Sequence, residues 1–258
     1  MIAAKLETHD LTVRFGGHVA VDGVSAAFRP GELTAIVGPN GAGKTTYFNL
    51  MSGQIPATSG RVLLDGDDVT RLGPSGRAAR GIGRAFQITS LFPDLSAHEN
   101  VRLAVQARAP RRAEIFSRWT SHRGWIERAD RALDEVGLAA RRNTKAAALS
   151  HGDQRKLEVA IMTALEPHVM MFDEPTAGMS VDEVPVILDL IGRLKRGGDR
   201  TILLVEHKMD VVRSLADRIV VLHQGRLVAD GDPATVIASD VVQEAYLGRA
   251  KAEATAHG

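Results

Sequence analysis

Apolar and polar positions alternate along residues 5–30, interrupted at Gly16-Gly17 and closed by Pro30-Gly31, a period-two pattern that predicts an antiparallel hairpin region. Residues 33–37 then form an apolar run, as a strand covered on both faces requires. It feeds a glycine-rich turn and a helix over about 44–52, with Gly53 as its stop. Residues 61–69, with Asp65-Gly66 as a turn signal, extend the β layer, and 81–87 reads as a further strand. Helical signals take over next. Ser96 and Glu99 make a capping box ahead of Val101-Arg102-Leu103, a second helix is predicted through about 125–136 before Gly137, and a third follows Ser150. From residue 169 short apolar strands alternate with helices: 169–172, a helix up to 196, 201–205, a helix, then 219–222. That rhythm predicts a parallel sheet with crossover helices. The small, polar residues 249–258 predict a disordered tail.

Composition narrows the function classes. With 258 residues, 44% of them hydrophobic, the chain can bury a full core as one large domain or a core with an inserted subdomain. Lys and Arg number 32 against 31 for Asp and Glu, so no global field favours nucleic acid or an anionic membrane. The lack of Cys rules out disulfides, thiolate metal ligands and cysteine catalysis, and is compatible with a reducing compartment. The opening MIAAKLETHDL has no apolar h-region and does not read as a secretory signal. The longest apolar runs fall far short of the roughly 18 residues a membrane span needs.

The first chemistry-bearing motif is Gly38-Pro39-Asn40-Gly41-Ala42-Gly43-Lys44-Thr45-Thr46. It matches the phosphate-binding loop pattern and lies between a buried-type strand and a helix, as that pattern requires. Its glycines let backbone N–H groups converge on phosphate oxygens, the helix amino terminus adds partial positive charge, and Lys44 adds a point charge. The Thr45 hydroxyl is the expected Mg²⁺ ligand. Downstream, the apolar strand at 169–172 ends in Asp173-Glu174. There one carboxylate can hold Mg²⁺, directly or through water, and the next can orient and deprotonate the attacking water. ATP with Mg²⁺ is the ligand this set predicts; an unrelated phosphate-loop kinase or GTPase is the competing reading.

Between the two lies Leu149-Ser150-His151-Gly152-Asp153-Gln154-Arg155, a helix amino terminus with a Ser cap and a Gly that lets backbone approach a ligand. At this element the chain resembles the ABC ATPases, and the resemblance runs to about Gly248. It implies a P-loop NTPase of the α/β class with a RecA-like parallel-sheet core, an N-terminal antiparallel β layer and an inserted helical subdomain. One domain would span 1–248, with the ATP-binding core and β layer at 1–87 and 161–248 and the helical subdomain at 88–160. By the same resemblance Phe15 stacks on adenine, Gln87 senses Mg²⁺ and the γ-phosphate, and His207 is the switch histidine. Ser150, Gly152 and Asp153 close over the γ-phosphate held by an opposing subunit, so a second ABC ATPase subunit is implied.

Two positions depart from the family pattern. Asp153 stands where Gln is common; it favours its own helix by about 0.3 to 1 kcal/mol through the dipole but opposes a nearby phosphate. Ser180, in Ala177-Gly178-Met179-Ser180, stands where the loop after the catalytic Glu usually ends in Asp, which removes a carboxylate that normally links the two sites.

Arg84-Ala85-Phe86-Gln87, Leu91-Phe92, Glu99-Asn100-Val101, Val205-Glu206-His207-Lys208-Met209-Asp210 and Ala245-Tyr246-Leu247-Gly248 are similar to the branched-chain and hydrophobic amino acid uptake subfamily. That likeness implies two membrane permease subunits and, indirectly, a periplasmic binding protein, with the chain peripheral on the cytoplasmic face of a bacterial inner membrane. The ATPase of lipopolysaccharide export and a soluble clamp on nucleic acid are the alternatives. Clamps generally carry two cassettes, so no nucleic-acid partner is expected. The Arg-rich stretch 108–131, with two Trp, reads as a solvated, partly packed helical face.

Overall fold

A computed structural model describes residues 3–85, 91–107, 122–240 and 242–244. The expected tail at 249–258, Gln87 and most of the Arg-rich stretch lie outside these residues. In chain order the elements are β1 (Leu6–Phe15), β2 (His18–Phe28), β3 (Leu33–Val37), α1 (Lys44–Ser52), β4 (Ser59–Leu64), β5 (Asp67–Asp68), α2 (Pro74–Ala79), β6 (Ile82–Ala85), α3 (Ala97–Ala107), α4 (Arg123–Glu135), α5 (His151–Ala164), β7 (Val169–Asp173), α6 (Val184–Arg196), β8 (Thr201–Val205), α7 (Met209–Leu215), β9 (Arg218–His223), β10 (Arg226–Gly231) and α8 (Pro233–Ile237). They fall into two compact units, one comprising Met1–Ile82, His168–Glu174 and Gly192–Gly258, the other Gly83–Pro167 and Pro175–Ile191.

The first unit holds two sheets. The smaller is antiparallel, in the order β2-β1-β4-β5, and the larger runs β10-β9-β3-β8-β7 within this unit. In the larger sheet β3 lies between β9 and β8, with β7 beyond β8, and all four run parallel. Every residue of β3, β7 and β8 is buried, which is why these strands read as continuous apolar runs rather than alternations. One face of β3 gives Ile36 to a core shared with Phe28, Tyr47, Phe48 and Leu203. The other gives Ala35 and Val37 to a cluster with Val212 and Val236 from α7 and α8. Tyr47 is fully buried, and its hydroxyl meets the Thr8 hydroxyl at 2.7 Å, tying α1 to the antiparallel sheet. Burial pushes the Tyr47 phenol well above its usual range, so it stays neutral.

The larger sheet has the expected parallel core and adds one antiparallel edge strand that the sequence rhythm did not announce. After β9 the chain reverses through Gln224 and Gly225, at φ 50° and 78°, and β10 returns antiparallel. Two successive left-handed residues are what a tight hairpin needs. α2 and α8 were also not foreseen. α8 starts at Pro233 behind Asp232, whose carboxylate accepts from the Ala234 and Thr235 amides.

In the second unit α3, α4 and α5 pack on one another, burying Val101, Val105, Ala129, Leu133, Leu157 and Ala160. The Ser96 and Glu99 capping box is formed: Glu99 Oε2 accepts from the Ser96 amide at 2.8 Å, and Ser96 Oγ accepts from the Glu99 amide at 3.1 Å. Buried Asn100 accepts from the Phe92 amide and donates to the Phe92 carbonyl, fixing the turn before α3. Trp125 stacks on His122 with ring centroids 3.9 Å apart.

Candidate functional site

Because β3, β7 and β8 are parallel neighbours, their carboxyl ends share one edge of the sheet, the place where open α/β sheets bind ligands. Val37 there leads into the loop at 38–43, Asp173 into Glu174, and Val205 into Glu206-His207. Asp173 is in register with Val205, one strand over from Ile36.

The loop after β3 folds over its own lysine. Lys44 is 6% exposed, and its ammonium donates to the Gly38 carbonyl at 2.7 Å and the Pro39 carbonyl at 3.0 Å. An α1 helical bond runs from the Tyr47 amide to the Gly43 carbonyl, so the amides of Lys44, Thr45 and Thr46 fall in the first turn, whose N–H groups point toward the amino end. Gly38 has φ 151°, and a Cβ there would stand 2.1 Å from the Leu222 carbonyl oxygen; only glycine lets the loop leave the sheet so close to β9. Gly41 is the opposite case. A Cβ added there meets nothing within 4 Å, since Gly41 faces open space.

That space is a cavity of about 430 Å³ lined by Phe15, His18, Ala20, residues 40–46 and Glu174. The loop offers amides and an ammonium to anionic oxygens. Phe15, 53% exposed, offers an aromatic face such as a nucleobase stacks on. These donors fit a nucleoside triphosphate. For a divalent ion the hard oxygen donors are the exposed Thr45 hydroxyl and the carboxylate of Asp173, which is 4% exposed. Among the described residues no cluster of three or more His, Asp or Glu could hold a metal, so a Mg²⁺ ion here needs phosphate oxygens to complete its shell.

Glu174 occupies the left-handed region at φ 50°, a conformation that costs a non-glycine residue about 1–3 kcal/mol and gathers at functional sites. Its amide donates to the Val205 carbonyl at 3.0 Å. Its Oε2 lies 3.3 Å from His207 Nε2, which joins two residues 33 positions apart in the sequence. Buried Glu206 accepts from the His207 amide at 3.1 Å and the Lys208 amide at 3.5 Å. Sequence reasoning passed over Glu206 as a site residue; a Glu directly after a wholly apolar strand is the signal that could have found it.

In the second unit Ser150 caps α5, its Oγ accepting from the Asp153 amide at 3.1 Å. The Gln154 amide group donates to the Ala146 and Leu149 carbonyls. The Gly152 amide donates to Glu183 Oε1 at 3.1 Å, another contact the sequence reading did not anticipate. Asp153 carries less unbalanced charge than expected, because Lys156 Nζ lies 2.9 Å from its Oδ1.

Comparison with known proteins bears on this geometry. The family model described as ABC transporter matches residues 21–177. BraF of Pseudomonas aeruginosa, a high-affinity branched-chain amino acid transport ATP-binding protein, is 38% identical over 252 residues, covering 95% of this chain and 98% of BraF. LivG of Escherichia coli K12, a protein of the same description, is 36% identical over 250 residues, covering 95% and 98%. Among solved structures, the ADP conformation of MJ1267, an ATP-binding cassette of an ABC transporter, superposes with a TM-score of 0.81 at 28% identity, covering 95% of this chain and 99% of that one.

Proposed function

The chain belongs to the ABC transporter family of ATP-binding proteins, and from that premise we propose that it is the ATP-hydrolysing motor of an importer for branched-chain or other hydrophobic amino acids. The observation that carries the reading is the convergence, on one sheet edge, of the Lys44 loop, the Asp173-Glu174 pair and His207.

Phe15 holds the base, the loop amides and Lys44 hold the phosphates, and Thr45 and Asp173 would hold Mg²⁺. Magnesium, when bound by these residues, would supply neutralising positive charge to the phosphates. Glu174 orients a water and accepts its proton, and His207, steadied through Glu206, donates to the oxygen charge that develops on transfer. Gln87 passes the motion to the membrane subunits. The Ser150 to Gly152 amino terminus of α5 engages the γ-phosphate of a second cassette, so the working unit has two chains closing around two nucleotides. Two permease subunits and, beyond them, a periplasmic binding protein complete the assembly, with this chain on the inner membrane's cytoplasmic face.

The amino acid cargo is supported by the names of BraF and LivG and by their coverage of nearly the whole chain. Reconstitution with permease subunits and a periplasmic binding protein from the same organism tests the reading. ATP-dependent uptake of labelled leucine or isoleucine, lost in Glu174→Gln, is expected. ATP turnover stimulated only by another class of substrate would contradict it.

A further inference from the structure

The amino end of α5 is already occupied from within. Glu183 Oε1 accepts from the Gly152 amide at 3.1 Å, and its Oε2 accepts from the Ser180 amide at 3.2 Å and the Ser180 hydroxyl at 3.0 Å. A Cβ on Gly152 would stand 2.5 Å from Oε1, so the missing side chain is what admits the carboxylate. The Ser180 amide and hydroxyl, with a smaller contribution from the Gly152 amide, hold the Glu183 carboxyl below its usual range; it is an anion at neutral pH.

An anion on that amide has a consequence that rests on the two-chain reading above. The Gly152 N–H is the donor an opposing γ-phosphate would take, and it cannot serve two anions at full strength; carboxylate and phosphate also repel at this range. We infer that Glu183 is an internal stand-in for the γ-phosphate, an autoinhibitory latch that must leave the amino end of α5 before a second cassette's nucleotide can engage it.

Ser180 belongs to the same device. Where the family usually places Asp, this chain places a hydroxyl that donates to Glu183. An aspartate there could only accept, and would push the Glu183 carboxylate away. The substitution that removes one link between the sites thus supplies the anchor of the latch.

The test is ATP-driven dimerisation of the full chain in a Glu174→Gln background, followed by sedimentation, with calorimetry of MgATP binding to the monomer alongside. Dimerisation reports on the two-chain reading itself; its absence both in the Glu174→Gln parent and in the parent carrying Glu183→Ala, despite MgATP binding, defeats that reading. Given a dimer, Glu183→Ala and Glu183→Gln are each expected to tighten it about tenfold, ~1.4 kcal/mol, at unchanged monomer affinity for MgATP. If Glu183 merely caps α5, both variants melt earlier and dimerise no more tightly, which overturns the latch. Should Glu183→Ala fail to fold, Glu183→Gln, which keeps the size of the side chain and drops its charge, decides by the same criterion.

Discussion

His207 Nε2 stands 3.3 Å from Glu174 Oε2, at the ends of two adjacent parallel strands whose last residues, Val205 and Asp173, are in register. The pair places a proton acceptor, which lines the cavity, beside a hydrogen-bond donor. Glu174→Gln keeps the size and hydrogen bonding of the side chain but removes the acceptor. Turnover should fall 10²- to 10⁴-fold while MgATP affinity is unchanged, as a phosphate-release assay beside equilibrium binding would read. Equal losses in both would mean that Glu174 serves binding rather than proton transfer.

Glu206 makes a related prediction. It accepts two successive backbone amides, those of His207 and Lys208, and Glu206→Ala takes that acceptor away. A stability loss of about 1–3 kcal/mol in urea unfolding should accompany a fall in kcat with little change in KM, because His207 loses its support while the phosphate loop does not. An unaltered kcat would show that His207 is held by other means.

Much of the fold was legible because its signals are local. The runs at 33–37, 169–173 and 201–205 are apolar throughout since those strands are covered on both faces, and the phosphate loop sits in a short, fixed spacing. What was not legible depends on distance. Glu183 meets Gly152 across 31 residues, and nothing local marks either as a partner of the other. β10 follows a Gln224-Gly225 turn lacking the usual Asn or Asp, so the antiparallel edge went unread. Arg77 lies in a polar stretch, yet it is 2% exposed; only the tertiary structure reveals the carbonyls it serves.

Arg77 tests how firmly α1 is anchored. Its guanidinium donates to the carbonyls of Leu50 and Met51 at the end of α1, at 2.5 and 2.7 Å, and to those of Val69, Thr70 and Leu72. Burial pushes its pKa down to about 10, leaving it charged at neutral pH. Arg77→Met strands several buried carbonyls at about 1–3 kcal/mol each, so a loss of at least ~3 kcal/mol by chemical denaturation is expected. A loss below ~1 kcal/mol would mean that solvent reaches those carbonyls.

Acid stability should report the capping box of α3. The Ser96 amide and hydroxyl hold the Glu99 carboxyl below its ordinary value near 4.5. A folded-state pKa below the unfolded one means that the unfolded chain binds the proton first, so this contribution is intact above about pH 4.5 and is lost as pH falls below it. Ser96→Ala should lower the urea midpoint at neutral pH, and the gap to the parent should narrow as the acid limb is descended. A gap that is constant with pH would assign the effect to the helix cap alone.

The central claim is that the loop at 38–46 and the Lys44 ammonium hold the phosphates of ATP. Isothermal titration calorimetry of MgATP into the purified chain and into Lys44→Ala tests it most directly. Saturable heat with the parent and an affinity at least about tenfold weaker in Lys44→Ala, the loss of one charge-assisted contact of about 1.5–3 kcal/mol, is the predicted result. No heat with the parent, or equal affinities for the two proteins, would contradict it.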